Sequence, residues 1–218
     1  MNPLTTLSGI GPLALPLAIF SAIALLARPA HAPERDLKSG LYLTPHWHIA
    51  SPEITRHLKG AYPATVAALA DKWNRVFSVP VSWIRSQAYA ESRNIPTAEN
   101  TTSGALGVLQ LLPSTVAWLV PSLLKSKYAK NNSVQMTLSN GWHGKLNDLF
   151  NPDVNVMLAA YYLTILRRKF GDKHDLVAAA YNVGPGKVAR SLEARRPLPE
   201  GATIYVAMVE DAKRRGFK

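Results

Sequence analysis

The sequence contains no cysteine among its 218 residues. This absence excludes disulfide bonds, thiolate nucleophiles and thiolate metal sites, but it leaves the redox compartment undetermined. Acidic residues are also few, since 14 Asp and Glu stand against 25 Lys and Arg, for a formal net charge of +11. A basic balance of this size favours an anionic partner: nucleic acid, an acidic membrane surface or an acidic cell-wall polymer.

Several signatures of common protein classes are missing as well. The sequence has no Walker A or GxGxxG motif, no Ser-His-Asp signature and no nucleic-acid-binding module. His46 and His48 have a spacing that can bind metal, but no third ligand follows in a recognisable pattern. We therefore expect no metal, no cofactor and no nucleic-acid partner, and we assign the positive charge to a cell-wall polymer or a membrane surface.

The only long apolar run lies near the N-terminus, at residues 13–27, within a segment 1–32 whose single charged residue is Arg28. The run has the length of a secretory signal core and is short for a membrane span, and the Ala30-His31-Ala32 sequence resembles a signal-peptidase site. No Lys or Arg precedes the run, which is unusual for export. Residues 1–32 are therefore a signal peptide, an uncleaved membrane anchor or a buried segment.

The rest of the chain is predicted to be mainly α-helical. Residues 33–60 form a mixed segment, with weak strand character near residues 40–49, that leads into a domain covering residues 61–218. Apolar residues recur at helical spacing between Val66 and Phe77, a further helix follows Pro80, and Asn151-Pro152-Asp153 has the N-cap, N1 proline and acidic residue of a helix start. Residues 121–147 lack clear periodicity and are predicted to be an insertion, and the C-terminal tail is basic.

Glu91 interrupts the apolar face of the helix that follows Pro80. That face carries Val81, Ile84 and Ala88 at positions i, i+3 and i+7, and Glu91 follows at i+10. No cation lies in helical reach of the carboxylate, and a helix C-terminus disfavours negative charge, so we expect the pKa of Glu91 to be raised. A carboxyl group that stays protonated near neutral pH can act as a general acid. The alternative is an exposed glutamate on a frayed last turn.

Four sequence elements around Glu91 occur together and in a fixed order. They are ES at 91–92 with GALGVLQ at 104–110, NPDVNV at 151–156, AYNVGPGKV at 180–188 and YV at 205–206. In this combination the chain resembles the family 1 lytic transglycosylases, the soluble lytic transglycosylase catalytic domains. The resemblance covers about residues 66–209 and implies a mainly α, goose-type lysozyme-like domain with a substrate cleft.

The resemblance also implies a reaction. A peptidoglycan lytic transglycosylase cleaves the β-1,4 bond between N-acetylmuramic acid (MurNAc) and N-acetylglucosamine (GlcNAc) and closes a 1,6-anhydro ring on MurNAc. Glu91 would be the single general acid and base, and the acetamido group of the substrate would replace the second carboxylate that most glycosidases use. No cofactor is implied.

The motif positions also imply substrate-binding residues. They are Ser92, Thr101, Gln110, Tyr181, Asn182 and Tyr205. Ser92 and Gln110 could bond a sugar or orient Glu91, or they could satisfy backbone groups instead. Tyr181 and Tyr205 offer a flat ring and a hydroxyl, although aromatic residues in helices are commonly core residues, and Asn182 could simply cap its helix. Thr101 stands where the family has serine, and Leu109 replaces its methionine.

The expected partners are the glycan strands of peptidoglycan, and the expected location is the periplasm or cell envelope. By analogy with specialised members of the family, the chain could serve envelope secretion, conjugation or phage machinery, with membrane association through its N-terminus. Two other functions fit the same residues: a hydrolytic muramidase of the same fold, and a non-catalytic scaffold that binds peptidoglycan.

Overall fold

The computed structural model describes residues 65–217 and the backbone of three short strands at 35–36, 41–42 and 47–49. The predicted leader at 1–32 and most of the segment at 33–60 lie outside the described residues. In chain order the strands are β1 (Arg35–Asp36), β2 (Leu41–Tyr42), β3 (Trp47–Ile49), β4 (Ala98–Asn100) and β5 (Ala105–Leu106). The helices are α1 (Val66–Phe77), α2 (Val81–Ser92), α3 (Pro113–Lys125), α4 (Asn132–Gly141), α5 (Pro152–Phe170), α6 (His174–Val183), α7 (Pro185–Glu193) and α8 (Glu200–Arg214).

Helix α5 forms the centre of the domain and is buried on almost every side. Its predicted start is confirmed, because the Asn151 side chain accepts hydrogen bonds from the backbone N–H of Asp153 at 3.0 Å and of Val154 at 3.4 Å, with Pro152 at the first helical position. Gly171 ends the helix with a φ of 74°. Helices α1, α2, α3, α4 and α6 pack on it, so α5 joins these parts of the domain.

Helix α1 packs along α5 through the predicted apolar face. Thr65 caps its N-terminus by accepting a hydrogen bond from Ala68 N at 3.3 Å. Asp153, at the start of α5, joins the two helices, since it accepts hydrogen bonds from Lys72 Nζ at 2.6 Å and from Trp73 Nε1 at 2.9 Å. The predicted helical face of α1 is therefore confirmed and holds the first turn of α5 in place.

Residues 121–147 are helical over most of their length, although their sequence showed little periodicity. They contain the end of α3, a 3₁₀ turn at Lys127–Lys130, helix α4 and the start of a second 3₁₀ turn at Leu146–Phe150. Asn131 caps α4 by accepting from the backbone N–H of Ser133 at 3.0 Å, and Thr137 bonds Asp153 at 2.9 Å. The region is thus docked on the core, and its status as an insertion stays a prediction.

The segment after α2 contributes strands β4 and β5 to a small antiparallel sheet in the order β3-β4-β5. Strand β3 lies in the part of the chain where the sequence showed weak strand character, and it pairs with β4 in the register Trp47 to Asn100. Strand β5 leads into a tight turn at Gly107, whose φ of 79° favours glycine. Strands β4 and β5 and the turn lie between Glu91 and Gln110 in the sequence, so they connect the end of α2 to the residues that precede α3.

The C-terminal helices close the domain. Helix α6 packs against α5, α7 and α8, and α8 also packs against α2. Gly184 ends α6 with a φ of 88°, and Pro185 begins α7 at once, so the GPG sequence separates two helices and does not simply end one. Within the described residues, no helix has the length and apolar character that a membrane crossing requires.

Candidate active site

Glu91 lies in the last turn of α2, on the inward face that it shares with Ile84 and Ala88. Those two residues are fully buried, and the Glu91 side chain is partly accessible. The helix ends at Ser92, and the positive φ of 53° at Arg93 turns the chain away. The next residue, Asn94, donates its backbone N–H to Ala88 O. The last turn is therefore fixed, and the carboxyl group points into a recess and not from a frayed end into solvent.

The surroundings of Glu91 favour its neutral form. Burial raises the pKa of the carboxyl from its ordinary value of 4.5 to about 7, and a hydrogen bond from Tyr205 lowers it in part. The nearest cation along the chain, Arg93, donates to Tyr89 O at 2.9 Å and lies over the Tyr89 ring. No cationic side chain of residues 65–217 pairs with the carboxyl.

Two tyrosines from the C-terminal helices face this carboxyl. Burial and the negative charge of Glu91 raise the pKa of both Tyr181, on α6, and Tyr205, on α8. The Tyr181 hydroxyl donates to Leu109 O at 2.7 Å, which fixes its ring against the turn after β5. The Tyr205 hydroxyl makes a long contact of 3.4 Å with Gln87 Oε1 in addition to its bond with Glu91. Both phenols therefore stay protonated and can donate.

The turn after β5 forms the other side of the recess, and Asn155 on α5 holds it from behind. Asn155 Oδ1 accepts from Leu109 N at 2.8 Å, and its Nδ2 donates to Leu106 O at 2.9 Å and to Leu149 O at 3.0 Å. Gly107 lies directly against this amide. All three hydrogen bonds are buried, so the position of the Leu109 carbonyl, and with it the Tyr181 ring, is set by the core.

Gln110 ends the turn with a φ of 45°, which is unusual for a residue other than glycine. Its Nε2 donates to Ala98 O at 3.1 Å and to Gly107 O at 2.9 Å. The side chain therefore braces the turn against β4. The Gln110 amide oxygen accepts no hydrogen bond from residues 65–217, so it can accept one from a ligand.

Ser92 lies behind the site. It is fully buried, its hydroxyl donates to Val108 O at 2.6 Å, and it accepts from Ile95 N at 3.1 Å. This arrangement ties the end of α2 to the turn after β5. It favours the second role that the sequence left open, the satisfaction of backbone groups, over contact with a sugar.

Asn182 and Thr101 are both exposed. Asn182 follows Tyr181 on α6, and its side chain makes no hydrogen bond within residues 65–217, so it does not cap the helix. Thr101 lies in the turn between β4 and β5, where the Asn100 side chain accepts from Thr102 N and Ser103 N. The described contacts bring neither side chain to Glu91, and their predicted roles in substrate binding stay predictions.

Three further residues adjoin the site, and the sequence analysis missed all of them. Gln87 is fully buried one helical turn before Glu91, and its Nε2 has no partner within the described residues. Tyr162 packs against Tyr181 with ring centroids 5.3 Å apart, and Trp118 packs against Tyr162 at 5.6 Å. The i−4 spacing of Gln87 is a signal that could have found it. The other two residues come from α5 and α3, and no local pattern links them to the site.

Comparison with known proteins identifies the family to which the chain belongs. The family model described as "Transglycosylase SLT domain" matches residues 68–200, more than half of the chain. The chain therefore belongs to that family. The match includes Glu91, the turn after β5 and Tyr181, and it ends at the first residue of α8.

Individual relatives agree with this assignment. The chain is 26% identical over 149 residues to the soluble lytic murein transglycosylase of Salmonella typhimurium, which covers 66% of this chain and 21% of that protein. It is 26% identical over 132 residues to the Escherichia coli protein of the same name, covering 61% of this chain and 18% of the relative. The chain thus spans about one fifth of the length of these relatives.

Two solved structures share the fold. An inactive mutant of the lytic transglycosylase Slt from Pseudomonas aeruginosa superposes with a TM-score of 0.55 at 24% identity, over 72% of this chain and 24% of that one. The 70 kDa soluble lytic transglycosylase of Escherichia coli gives a TM-score of 0.51 at 25% identity, over 74% and 25%. These likenesses confirm the predicted mainly α, lysozyme-like fold.

Proposed function

We propose that the chain is a peptidoglycan lytic transglycosylase in which Glu91 serves first as the acid and then as the base. The observation that carries the proposal is the enclosed Glu91 carboxyl, whose pKa of about 7 leaves both of its protonation states accessible near neutral pH. Family membership and the names of the relatives, which describe lytic murein transglycosylases, support the same reaction class.

In the first step, protonated Glu91 donates its proton to the glycosidic oxygen between MurNAc and GlcNAc. The bond from MurNAc C1 to that oxygen breaks, and GlcNAc leaves with a new hydroxyl group. The electron-poor C1 is stabilised by the oxygen of the neighbouring acetamido group of the substrate. Glu91 is now a carboxylate, and the hydrogen bond from Tyr205, which lowers its pKa, stabilises that form.

In the second step, the Glu91 carboxylate removes the proton from the MurNAc C6 hydroxyl. Oxygen O6 bonds to C1 and closes the 1,6-anhydro ring, and the acetamido oxygen is released from C1. The proton count balances, because Glu91 ends as it began and no water is consumed. One carboxyl group is therefore sufficient for the whole cycle.

No carboxylate of residues 65–217 contributes to the pKa shift of Glu91, which favours this route over a two-carboxylate hydrolysis. Glycosidases that use two carboxylates place them on either side of the scissile bond. Two causes shift the pKa of Glu91: burial raises it, and the hydrogen bond from Tyr205 lowers it. Neither cause is a carboxylate. A substrate acetamido group supplies the missing stabilisation.

The substrate-side roles follow from the positions of the side chains. Tyr181 presents a ring that Leu109 O holds in place, and Gln110 keeps its amide oxygen for a sugar hydroxyl. Tyr205 acts on the carboxyl itself. Asn182, exposed at the end of α6, is available to a sugar from the solvent side.

Product analysis tests the proposed reaction. Purified peptidoglycan sacculi digested with the protein should release fragments that end in 1,6-anhydroMurNAc, detected by mass spectrometry. Fragments that end in reducing MurNAc would instead identify a hydrolytic muramidase. Binding to sacculi without release of any fragment would identify a non-catalytic scaffold.

We also propose that the chain acts in the periplasm or cell envelope. The net charge of +11 suits an anionic polymer, and the relatives are named for their action on murein. Three points remain predictions: export through residues 1–32, membrane association of that segment, and a role in secretion or conjugation machinery. Cell fractionation of the full chain, compared with a variant that lacks residues 1–32, tests the first two. Recovery of both forms from the cytoplasm would contradict export.

A further inference from the structure

Trp118 on helix α3 is an aromatic residue whose side chain lies outside the hydrophobic core. Its side chain is 44% exposed, whereas Leu119 and Val120, the next two residues of the helix, are buried. The indole touches the rest of the domain by an edge-to-face contact with Tyr162, with centroids 5.6 Å apart and planes at 80°. Its Nε1–H forms no hydrogen bond within residues 65–217. A flat, polarisable surface is thus left open to a ligand.

Tyr162 connects this exposed ring to the catalytic recess. It is 7% exposed, and it packs on Tyr181 with centroids 5.3 Å apart. Its hydroxyl has no hydrogen-bond partner within the described part of the chain. The hydroxyl oxygen is not fully buried, so a ligand can reach it. The three rings therefore form a continuous row that begins at Trp118 and ends at Tyr181, which faces Glu91.

We propose that Trp118 is a glycan-binding subsite that extends the catalytic recess along this aromatic row. The inference rests on the proposed function, and it adds the place where a distal sugar of the strand binds. The apolar face of a pyranose ring packs on the open face of the indole, as apolar C–H groups pack on aromatic rings elsewhere. The Tyr162 hydroxyl, which has no partner within residues 65–217, offers a hydrogen bond to the sugar between Trp118 and Tyr181.

The length of the row decides which substrates would use the subsite. The two centroid separations end to end place Trp118 at most about 11 Å from Tyr181. This bound places Trp118 within reach of an oligosaccharide whose end occupies the recess. Short glycans that fill only the recess would not reach Trp118, so its contribution should depend on the length of the glycan.

Other exposed apolar side chains do not have this arrangement. Leu124 lies on the same helix and is 56% exposed, yet no aromatic ring links it to the recess. Leu192, on α7, is 46% exposed and is likewise outside the row. Exposure alone therefore does not single out Trp118, but exposure together with the connection through Tyr162 to Tyr181 does.

The test measures binding without cleavage. In a Glu91→Gln background, the affinity for β-1,4-linked N-acetylglucosamine oligomers of increasing length is measured by isothermal titration calorimetry. The same variants are tested for binding to isolated glycan strands. Trp118→Ala should weaken binding of the longer oligomers about tenfold and leave the shortest binding oligomer unchanged. Trp118→Phe, which keeps a flat ring, should restore most of the affinity, and Leu124→Ala should have no effect.

The outcomes separate this inference from the proposed function. If Trp118→Ala and Trp118→Phe both bind every oligomer as the Glu91→Gln parent does, the subsite does not exist, whatever the activity of the wild type. An equal loss for short and long oligomers would also overturn it, since that pattern indicates a general structural effect. If the length-dependent loss occurs in a protein whose wild type releases no fragments, the subsite stands and the proposed reaction fails.

Discussion

Replacing Glu91 with glutamine should lower the release of anhydromuropeptides by about a thousandfold or more. General acid–base catalysis contributes about a hundred- to ten-thousandfold, and here the same carboxyl acts in both steps, so its loss falls toward the upper part of that range. Glutamine keeps the size of the side chain but can neither donate a proton to the glycosidic oxygen nor accept one from the C6 hydroxyl. Rates of fragment release from sacculi, measured at matched protein concentration, give the comparison.

The loss should occur without unfolding. Above pH 7 the wild type holds an ionised carboxyl in a recess that penalises charge, and glutamine removes that charge. The free energy of unfolding of Glu91→Gln at pH 8 should therefore equal or exceed that of the wild type. Glu193→Gln changes an exposed carboxylate at the end of α7 and is the matched control, with full activity expected. Undiminished fragment release by Glu91→Gln would remove Glu91 from the reaction.

Gly107→Ala should be among the most destabilising single substitutions in the domain. A Cβ atom at position 107 would lie 2.2 Å from Leu149 O and 2.3 Å from Asn155 Nδ2, and the φ of 79° already disfavours any side chain. Overpacking, left-handed strain and loss of the buried Asn155 hydrogen bonds together should cost about 4 kcal/mol or more. Denaturant unfolding measured at equilibrium gives this value.

Gly104→Ala is the matched control for that substitution. Gly104 has a similar φ of 72°, but a Cβ atom there would meet nothing within 4 Å. Only the backbone strain should appear, at about 1 kcal/mol. Equal losses for the two variants would mean that the contact with Asn155 does not hold the turn. Where Gly107→Ala still folds, its activity should also fall, because the turn places Leu109 O under Tyr181.

Local sequence signals predicted much of the fold because local contacts determine those features. Asn151 caps α5 through atoms two and three residues away, and the apolar face of α1 follows from helical periodicity alone. The inward position of Glu91 follows from the same periodicity, and the absence of a cation in helical reach predicted the direction of its pKa shift. Signals of this kind depend on residues within one or two turns of each other.

Features set by distant contacts could not be predicted in this way. Whether Ser92 bonds a sugar or a carbonyl depended on Val108, which lies across a turn of unknown shape. The helices within residues 121–147 have little periodicity, and they are held by caps and by the contact of Thr137 with Asp153. The aromatic row joins residues of α3, α5 and α6, so only the packed structure brings both Trp118 and Tyr181 into contact with Tyr162.

Direct titration of the Glu91 carboxyl by carbon-13 NMR tests the central claim, with Glu91→Gln used to assign the resonance. We expect the carboxyl to titrate with a midpoint about 7, well above the 4.5 of a solvated glutamate. Fragment release should then fall as the pH rises through this midpoint, because the ionised carboxyl cannot protonate the glycosidic oxygen. A midpoint near 4.5 would contradict the account, since Glu91 would be ionised at neutral pH and could not supply the proton.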